Sequence, residues 1–330
     1  MVILDLVDRL APLAEGMSAR VQLRHHADAA LVRTWCELTG NILVAVEDGW
    51  IEIRRGRPVR TVHALPPQRR PGVRLWMYTN FDCNLSCTYC CVRSSPAAAR
   101  RALGHDRIAR LAEEAAAWGM AELWLTGGEP FLLTDIADSI RACVALRPTT
   151  VLTNGMLFTG RRLETMRSLP RTGLTLQISL DSASPERHDR ARGAGSWARA
   201  MTGIRTARAL GFHVRIAATV DPLDGHAGAE AEKFGAVLDE LAIDRADLLV
   251  RPVARRGFSV SGMELAPETL VPDVTVTADG VYWHPVGATD GDMLVDRDIF
   301  PLGDRIDRVI ELFEARAQRL TSTALTFPCA

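Results

Sequence analysis

The chain has 330 residues, 47% of them hydrophobic and 24% charged, with a formal net charge of −1; this is the composition of an ordinary soluble globular protein. So small a charge sets up no global field for nucleic acid or an acidic membrane surface, and no apolar run reaches the roughly 18 residues that a membrane span needs. The N-terminus, MVILDLVDRL, is acidic and amphipathic rather than a basic-then-apolar leader. With seven cysteines, four of them clustered, a reducing cytoplasm is the expected compartment.

Residues 1–65 read as a small separate α/β domain. Asp5 to Met17 has helical apolar spacing interrupted at Pro12, Ala19 to Leu23 alternates as a strand, and Ala27 to Leu38 forms a second helix ended near Gly40. Asn41–Val46 and Trp50–Arg54 are short strands joined at Asp48-Gly49, a hairpin signal. Cys36 falls inside the second helix, where a free thiol behaves as a small hydrophobe. His25 and His26 stand apart from other ligand types and read as surface residues. The Pro- and Arg-rich stretch 64–72 is a linker.

From Val73 the pattern becomes a repeating strand–loop–helix alternation over a second domain, 66–255. Strands are expected at Val73–Tyr78, Ala121–Leu125, Thr150–Leu152, Leu174–Ile178, His213–Ala218 and Asp247–Val250, with helices between them such as Asp106–Trp118, Ile136–Leu146 and Trp197–Leu210. Six β/α units imply a parallel barrel or part of one, whose active site lies at the C-terminal strand ends. There the unusual residues fall. The first strand leads into a cysteine loop, the second into Thr126-Gly127-Gly128-Glu129-Pro130, the third into Thr153-Asn154-Gly155. The fourth ends in Ser179-Leu180-Asp181-Ser182, the fifth in Thr219-Val220-Asp221, and the sixth runs into Arg251-Pro252. Arg251, Arg255 and Arg256 read as a solvated charged face. Residues 256–330 form a C-terminal extension: a strand, an Asp-Gly turn and a second strand within VTVTADGVYWHP, then an amphipathic helix from Asp304 to Leu320.

The cysteine loop reads FDCNLSCTYCCVR and places Cys83, Cys87 and Cys90 in C-x3-C-x2-C spacing. Three thiolates so close can converge on a soft centre. They are one short of a complete [4Fe–4S] ligand set, which leaves one iron open. Zinc with Cys91 as fourth ligand is the alternative, although adjacent cysteines rarely point into one tetrahedral site. A disulfide would suit a secreted chain.

With an aromatic residue, Tyr89, before the third cysteine and a Gly-Gly-Glu-Pro turn after the second strand, the chain resembles the radical SAM enzymes. The resemblance covers roughly 74–255. It implies a partial, open (β/α)6 barrel, with the small N-terminal domain before it and the extension after it. It further implies one [4Fe–4S] cluster on Cys83, Cys87 and Cys90, with S-adenosylmethionine (SAM) on the open iron. By the same resemblance Gly127, Gly128 and Glu129 hold the SAM amino group. Asn154, Ser179 and Asp181 hold its carboxylate or ribose, Tyr89 packs on cluster or adenine, and Arg192 pairs with the carboxylate. Arg192 and His188 lie in a loop resembling the H-D-x-x-R segment of members with SPASM or twitch extensions. The extension itself is similar to the start of such a domain but has His284 where a cluster cysteine is usual, and its only cysteine is Cys329; no auxiliary cluster is expected. The implied activity is reductive cleavage of SAM to a 5′-deoxyadenosyl radical that takes hydrogen from a peptide or small natural-product precursor. An electron donor such as flavodoxin or ferredoxin is implied, and neither nucleic acid nor a membrane. Residues 34–53 also resemble part of a TusA-like sulfur-carrier domain lacking the reactive cysteine, which suggests sulfur-related chemistry as an alternative. A zinc-stabilised binding module without turnover is another.

Overall fold

The structure, a computed structural model, describes residues 72–220, 227–265 and 270–317, with 16–23, 41–47, 49–55 and scattered earlier positions. The chain divides into two compact units, Met1–Arg70 with Glu314–Arg319, and Pro71–Phe313 with Leu320–Ala330.

In the first unit, strands β1 (Ser18–Gln22), β2 (Ile42–Glu47) and β3 (Trp50–Arg54) form an antiparallel sheet in the order β1-β3-β2. The period-2 alternation is clean on β3. Ile51 and Ile53 are buried with Leu6, Leu10, Val32 and Cys36, while Glu52 faces outward and pairs with Arg20 at 3.0 Å. Gly49 closes the hairpin at φ +79°, a left-handed conformation that glycine adopts without a Cβ clash. The two helices expected here lie largely outside the described residues, as does the linker.

The second unit runs strand by helix: β4 (Arg74–Tyr78), α1 (His105–Trp118), β5 (Glu122–Thr126), α2 (Ile136–Val144), β6 (Thr149–Thr153) and α3 (Gly160–Ser168). It continues with β7 (Leu174–Ser179), α4 (Pro185–Arg192), α5 (Ser196–Ala209), β8 (His213–Val220), α6 (Ala227–Leu241) and β9 (Leu248–Pro252). These six strands are parallel and adjacent in chain order. Each expected strand is present with boundaries moved by one or two residues. Past β9, β10 (Thr275–Thr277) joins the free edge of β4 in parallel, and β11 (Gly280–Tyr282) and β12 (Leu294–Asp296) follow antiparallel. The result is an open nine-stranded sheet with β12 and β9 as its edges. It does not close. The last helix, α7, spans Leu302–Ala317, starting two residues before its expected position. None of the described helices is long and apolar enough to cross a membrane.

The two faces of the parallel sheet differ in chemistry. Leu75, Met77, Leu123, Leu125, Leu176 and Ile178 pack against helix residues such as Ile108, Leu111 and Ile140 in one core. The alternate positions, including Trp76, Trp124, Gln177 and Ser179, lie on the opposite face.

One expectation is corrected. Residues 185–192 are a helix, not a loop. Pro185 at its first turn is pre-set for helix, Ser184 donates to Glu186 at 2.6 Å, and Gly193 ends it at φ +105°. The sequence PERHDRAR has no apolar period, so the pattern that marks a helix is missing.

Candidate functional site

The cysteine loop leaves β4 through Thr79 and Asn80 and is tied down by main-chain bonds. Cys83 N donates to Ser95 O (3.2 Å), Thr88 N to Ala191 O (3.0 Å) and Phe258 N to Cys90 O (3.0 Å). Two thiols receive backbone N–H groups, Cys83 from Leu85 (3.4 Å) and Cys90 from Ser94 (3.3 Å). Tyr78 stacks on Phe81 at 5.5 Å beneath the loop, with Val92 and Ala288 completing a small apolar cluster.

Cys83, Cys87 and Cys90 all line one cavity of about 170 Å³. Of the other expected site residues, Tyr89, Gly127, Gly128, Asn154, Ser179 and Arg192 line it too. Glu129 and Asp181 do not; both are buried behind the wall.

Glu129 is a strut between strand ends. Its Oε1 accepts from Thr153 Oγ1 (2.8 Å) and Phe131 N (3.1 Å), and its Oε2 from Asn154 N (2.8 Å). Burial pushes its carboxyl up, and these donors oppose the rise. The two glycines before it meet the cysteine loop directly. Gly128 N donates to Asn80 O at 3.0 Å. A Cβ on Gly127 would stand 2.6 Å from Asn80 O, and one on Gly128 2.1 Å from Asp82 O. Their lack of side chain thus serves a close backbone approach within the protein as well as the cavity wall.

Asp181 is the hub of a second group. It takes a bidentate pair from Arg192 (Nε 2.6 Å, Nη2 3.1 Å), a hydrogen bond from Tyr89 Oη, and another from Thr219 N at 3.0 Å. Burial alone would raise its pKa, but the Arg192 guanidinium overrides that and holds the carboxyl below its usual value. Burial raises the Tyr89 phenol well above its ordinary range. His188 Nδ1 accepts from Asp181 N at 3.1 Å, while its buried Nε2 has no partner among the described residues. Burial, reinforced by Arg192, lowers the His188 pKa to about 4.

Two of the thiols, Cys83 and Cys87, are desolvated by burial. Burial pushes Cys83 up to about 12 and raises Cys87, where Arg192 opposes it. Burial thus favours the thiol form of Cys83 and Cys87, and coordination by a metal would displace the proton. Among the described residues no three His, Cys, Asp or Glu side chains gather closely enough for a single metal ion. A cubane cluster spreads its thiolates over separate irons, so three thiols on one wall fit it better than they fit zinc. Cys91 also lines the cavity, but its backbone lies against Gly257, where a Cβ would come within 2.5 Å of the Cys91 carbonyl.

Several functional positions escaped the sequence. Asn80 Nδ2 bridges Asp82 O (2.9 Å) and Glu129 O (3.1 Å); its place at the end of β4 was the available signal. Asn84, likewise not singled out, accepts from the amide of the expected residue Asn154 (Oδ1, 2.8 Å), joining β6 to the cysteine loop. Pro285 and Val286 of the extension line the cavity, and Tyr78 Oη donates to Pro285 O at 2.7 Å. His284 caps the turn there, accepting from Val286 N at 3.2 Å. Cys36 and Cys143 are buried in cores, and Cys329 lies outside the described residues. Of the three arginines expected on a solvated face, only Arg255 lies there. Arg256 is partly buried and pairs with Asp290 (2.6 Å) and Asp292 (2.9 Å), and Arg251 lines the cavity.

Comparison with known proteins agrees with this geometry. The family model described as the Radical SAM superfamily matches residues 77–241. A GTP 3′,8-cyclase of Stenotrophomonas maltophilia (strain K279a) is 41% identical over 136 residues, 39% of this chain and 40% of that protein. An AdoMet-dependent heme synthase of Methanosarcina barkeri is 33% identical over 153 residues, 46% of this chain and 43% of that one. The chain thus matches less than half the length of these relatives. The solved structure of native anSMEcpe with bound AdoMet and Kp18Cys peptide superposes with a TM-score of 0.53 at 14% identity, covering 73% of this chain and 83% of that one. That likeness establishes a common fold.

Proposed function

The chain belongs to the radical SAM superfamily, and from that premise we propose that it cleaves SAM reductively and takes hydrogen from a peptide or small natural-product precursor. It is an enzyme whose cofactors are a [4Fe–4S] cluster and SAM. When bound, they supply the electron and the 5′-deoxyadenosyl radical, the hard chemistry of the reaction.

The chain's own residues bind, orient and exclude water. Cys83, Cys87 and Cys90 would each ligate one iron. The main chain of Gly127 and Gly128, with Asn154, Ser179 and Arg192, would face SAM, and Tyr89 would border it. Glu129 and Asp181 act behind the wall: Glu129 fixes the ends of β5 and β6, and Asp181 holds Arg192 and Tyr89 in place. One observation carries the reading: the three motif thiols, the Gly-Gly turn and the ends of all six parallel strands β4 to β9 border a single cavity. A peptide-like substrate is supported by the C-terminal extension, whose Pro285 and Val286 form part of that wall. A one-electron carrier such as flavodoxin or ferredoxin would serve as reductant. The N-terminal unit has a structural or docking role; Cys36, 3% exposed, is not available as a sulfur carrier.

Anaerobic reconstitution tests this. Iron and sulfide should reach about four each per chain, the content of one cluster, and alanine at Cys83, Cys87 or Cys90 should abolish binding while Cys91→Ala keeps it. Reduced with dithionite, the protein should convert SAM to 5′-deoxyadenosine, detected by chromatography. An intact cluster that never yields that product, with substrate candidates supplied, would refute the proposal.

A further inference from the structure

Two arginines line the cavity, Arg192 and Arg251, and the proposed function uses only the first. Arg192 is bound to Asp181 by a buried bidentate pair. Arg251 is half-buried at the end of β9. Its register partner on β8 is Thr219, and its Nε donates to Thr219 Oγ1 at 3.1 Å. Thr219 lines the cavity as well, so this bond holds the guanidinium beside the wall. The neighbouring arginines are placed differently: Arg255 is exposed, and Arg256 pairs with Asp290 and Asp292.

The wall divides by element. The groups assigned to SAM come from the cysteine loop, the ends of β5, β6 and β7, and α4. Arg251, Pro252 and Ala254 come from β9 and the turn after it, Pro285 and Val286 from the C-terminal extension, and Arg251 is the charged residue among them. No carboxylate is among the described residues that line the cavity. The two acids behind the wall are engaged: Glu129 accepts from Thr153, Phe131 and Asn154, and Asp181 from Arg192, Tyr89 and Thr219 N. The cofactors do not call for Arg251 either. An oxidised [4Fe–4S] core with three thiolates is anionic, SAM with its sulfonium and ammonium is cationic overall, and the two charges cancel. A guanidinium drawn into a cavity wall gives up hydration, which an anionic ligand makes good. Its planar fork of N–H donors matches the oxygens of a carboxylate or a phosphate.

We infer that Arg251 is a specificity-determining residue that binds an oxyanion of the substrate, a carboxylate or a phosphate, with Thr219 setting its orientation. The substrate class is thereby narrowed to precursors that carry an acidic group. This rests on the proposed use of the cavity as the place where substrate meets SAM.

The test uses the oxidised holoenzyme with SAM bound. Equilibrium dialysis measures the binding of acetate and of inorganic phosphate, with acetamide as the uncharged isostere of acetate. At least one of the anions should bind saturably and acetamide should not; the tighter anion identifies the recognised group as carboxylate or phosphate. Arg251→Gln should weaken that anion about tenfold or more, as loss of a charged hydrogen bond does. Arg251→Lys keeps the charge but not the fork, and should weaken it by a smaller factor. Iron content reports whether each variant has folded, and the lysine variant alone decides if the glutamine variant does not load iron. SAM affinity should be the same in all three proteins. Anion binding that is unchanged in a variant loaded with iron would mean an adventitious ion only, held by surface arginines, and would overturn the inference. So would saturable binding of neither anion, or a loss of SAM affinity in Arg251→Gln, which would make Arg251 a SAM ligand. SAM cleavage is assayed separately on the wild type, so failure of the proposed activity is distinguishable from failure of anion recognition.

Discussion

Gly128 has no room for a methyl group. A Cβ there would stand 2.1 Å from the Asp82 carbonyl, a backbone atom that can move only with the cysteine loop. We expect Gly128→Ala to cost about 2–3 kcal/mol by overpacking and to lower iron content after reconstitution, both measurable on one preparation by urea unfolding and iron assay. His188 gives a pH signature. Its folded pKa is about 4, whereas the unfolded side chain titrates near 6.5. Below pH 6.5 the unfolded chain therefore binds the proton first. The contribution is complete above that pH and is lost as pH falls towards 4, about 3 kcal/mol in all. Urea midpoints for the wild type and His188→Gln should converge across that window; parallel curves would show that His188 does not titrate in this way. At this scale the convergence of Cys83, Cys87 and Cys90 on one cavity was legible, because chemistry and spacing coincide there. The roles of Glu129 and Asp181 were not legible. Their types announce polar function, but burial and partners, which decide between touching a ligand and holding its neighbours, arise only on folding.

The elements are held together by the group around Asp181. Tyr89 comes from the cysteine loop, Asp181 from the end of β7, Arg192 from α4, and Thr219 N from the end of β8. Removing one member of the buried ion pair leaves the other charge uncompensated. Arg192→Met should destabilise by about 3–5 kcal/mol, and Asp181→Leu combined with Arg192→Met should recover most of that. Denaturant unfolding of the two variants decides it: a double variant no better than the single one would mean that Asp181 acts through more than its charge. The parallel strands β4 to β9 were readable because each is a short apolar run bounded by turn residues. Helix α4 was not, since eight mostly charged residues carry no period, and it is Arg192 from that helix that locks the site.

At the scale of the whole molecule, the alternation of six strands with helices specifies the parallel sheet, and glycine-rich turns mark which end carries chemistry. What the alternation does not specify is what lies against the outer edge of β4. That edge is taken by β10, with Thr275 opposite Trp76 and Val276 opposite Met77, and no local pattern names a pairing partner so far along the chain. The buried pair Arg74–Asp273, at 2.8 Å, fastens the same seam.

This seam sets an order of events during synthesis. A ribosome adds about 5–20 residues per second, so β4 and its cysteine loop emerge many seconds before the strand that covers them. Throughout that interval the edge of β4 presents unpaired backbone groups to other chains. Ribosome-stalled chains ending before Val274 should accordingly be captured by trigger-type chaperones or aggregate, whereas chains stalled once β10 to β12 have cleared the exit tunnel should resist limited proteolysis. Equal protease resistance at both lengths would mean that β4 needs no such cover. If β4 does need that cover, iron loading has to await the emergence of the later strands, since Ala288 packs against the cysteine loop and Phe258 N donates to Cys90 O.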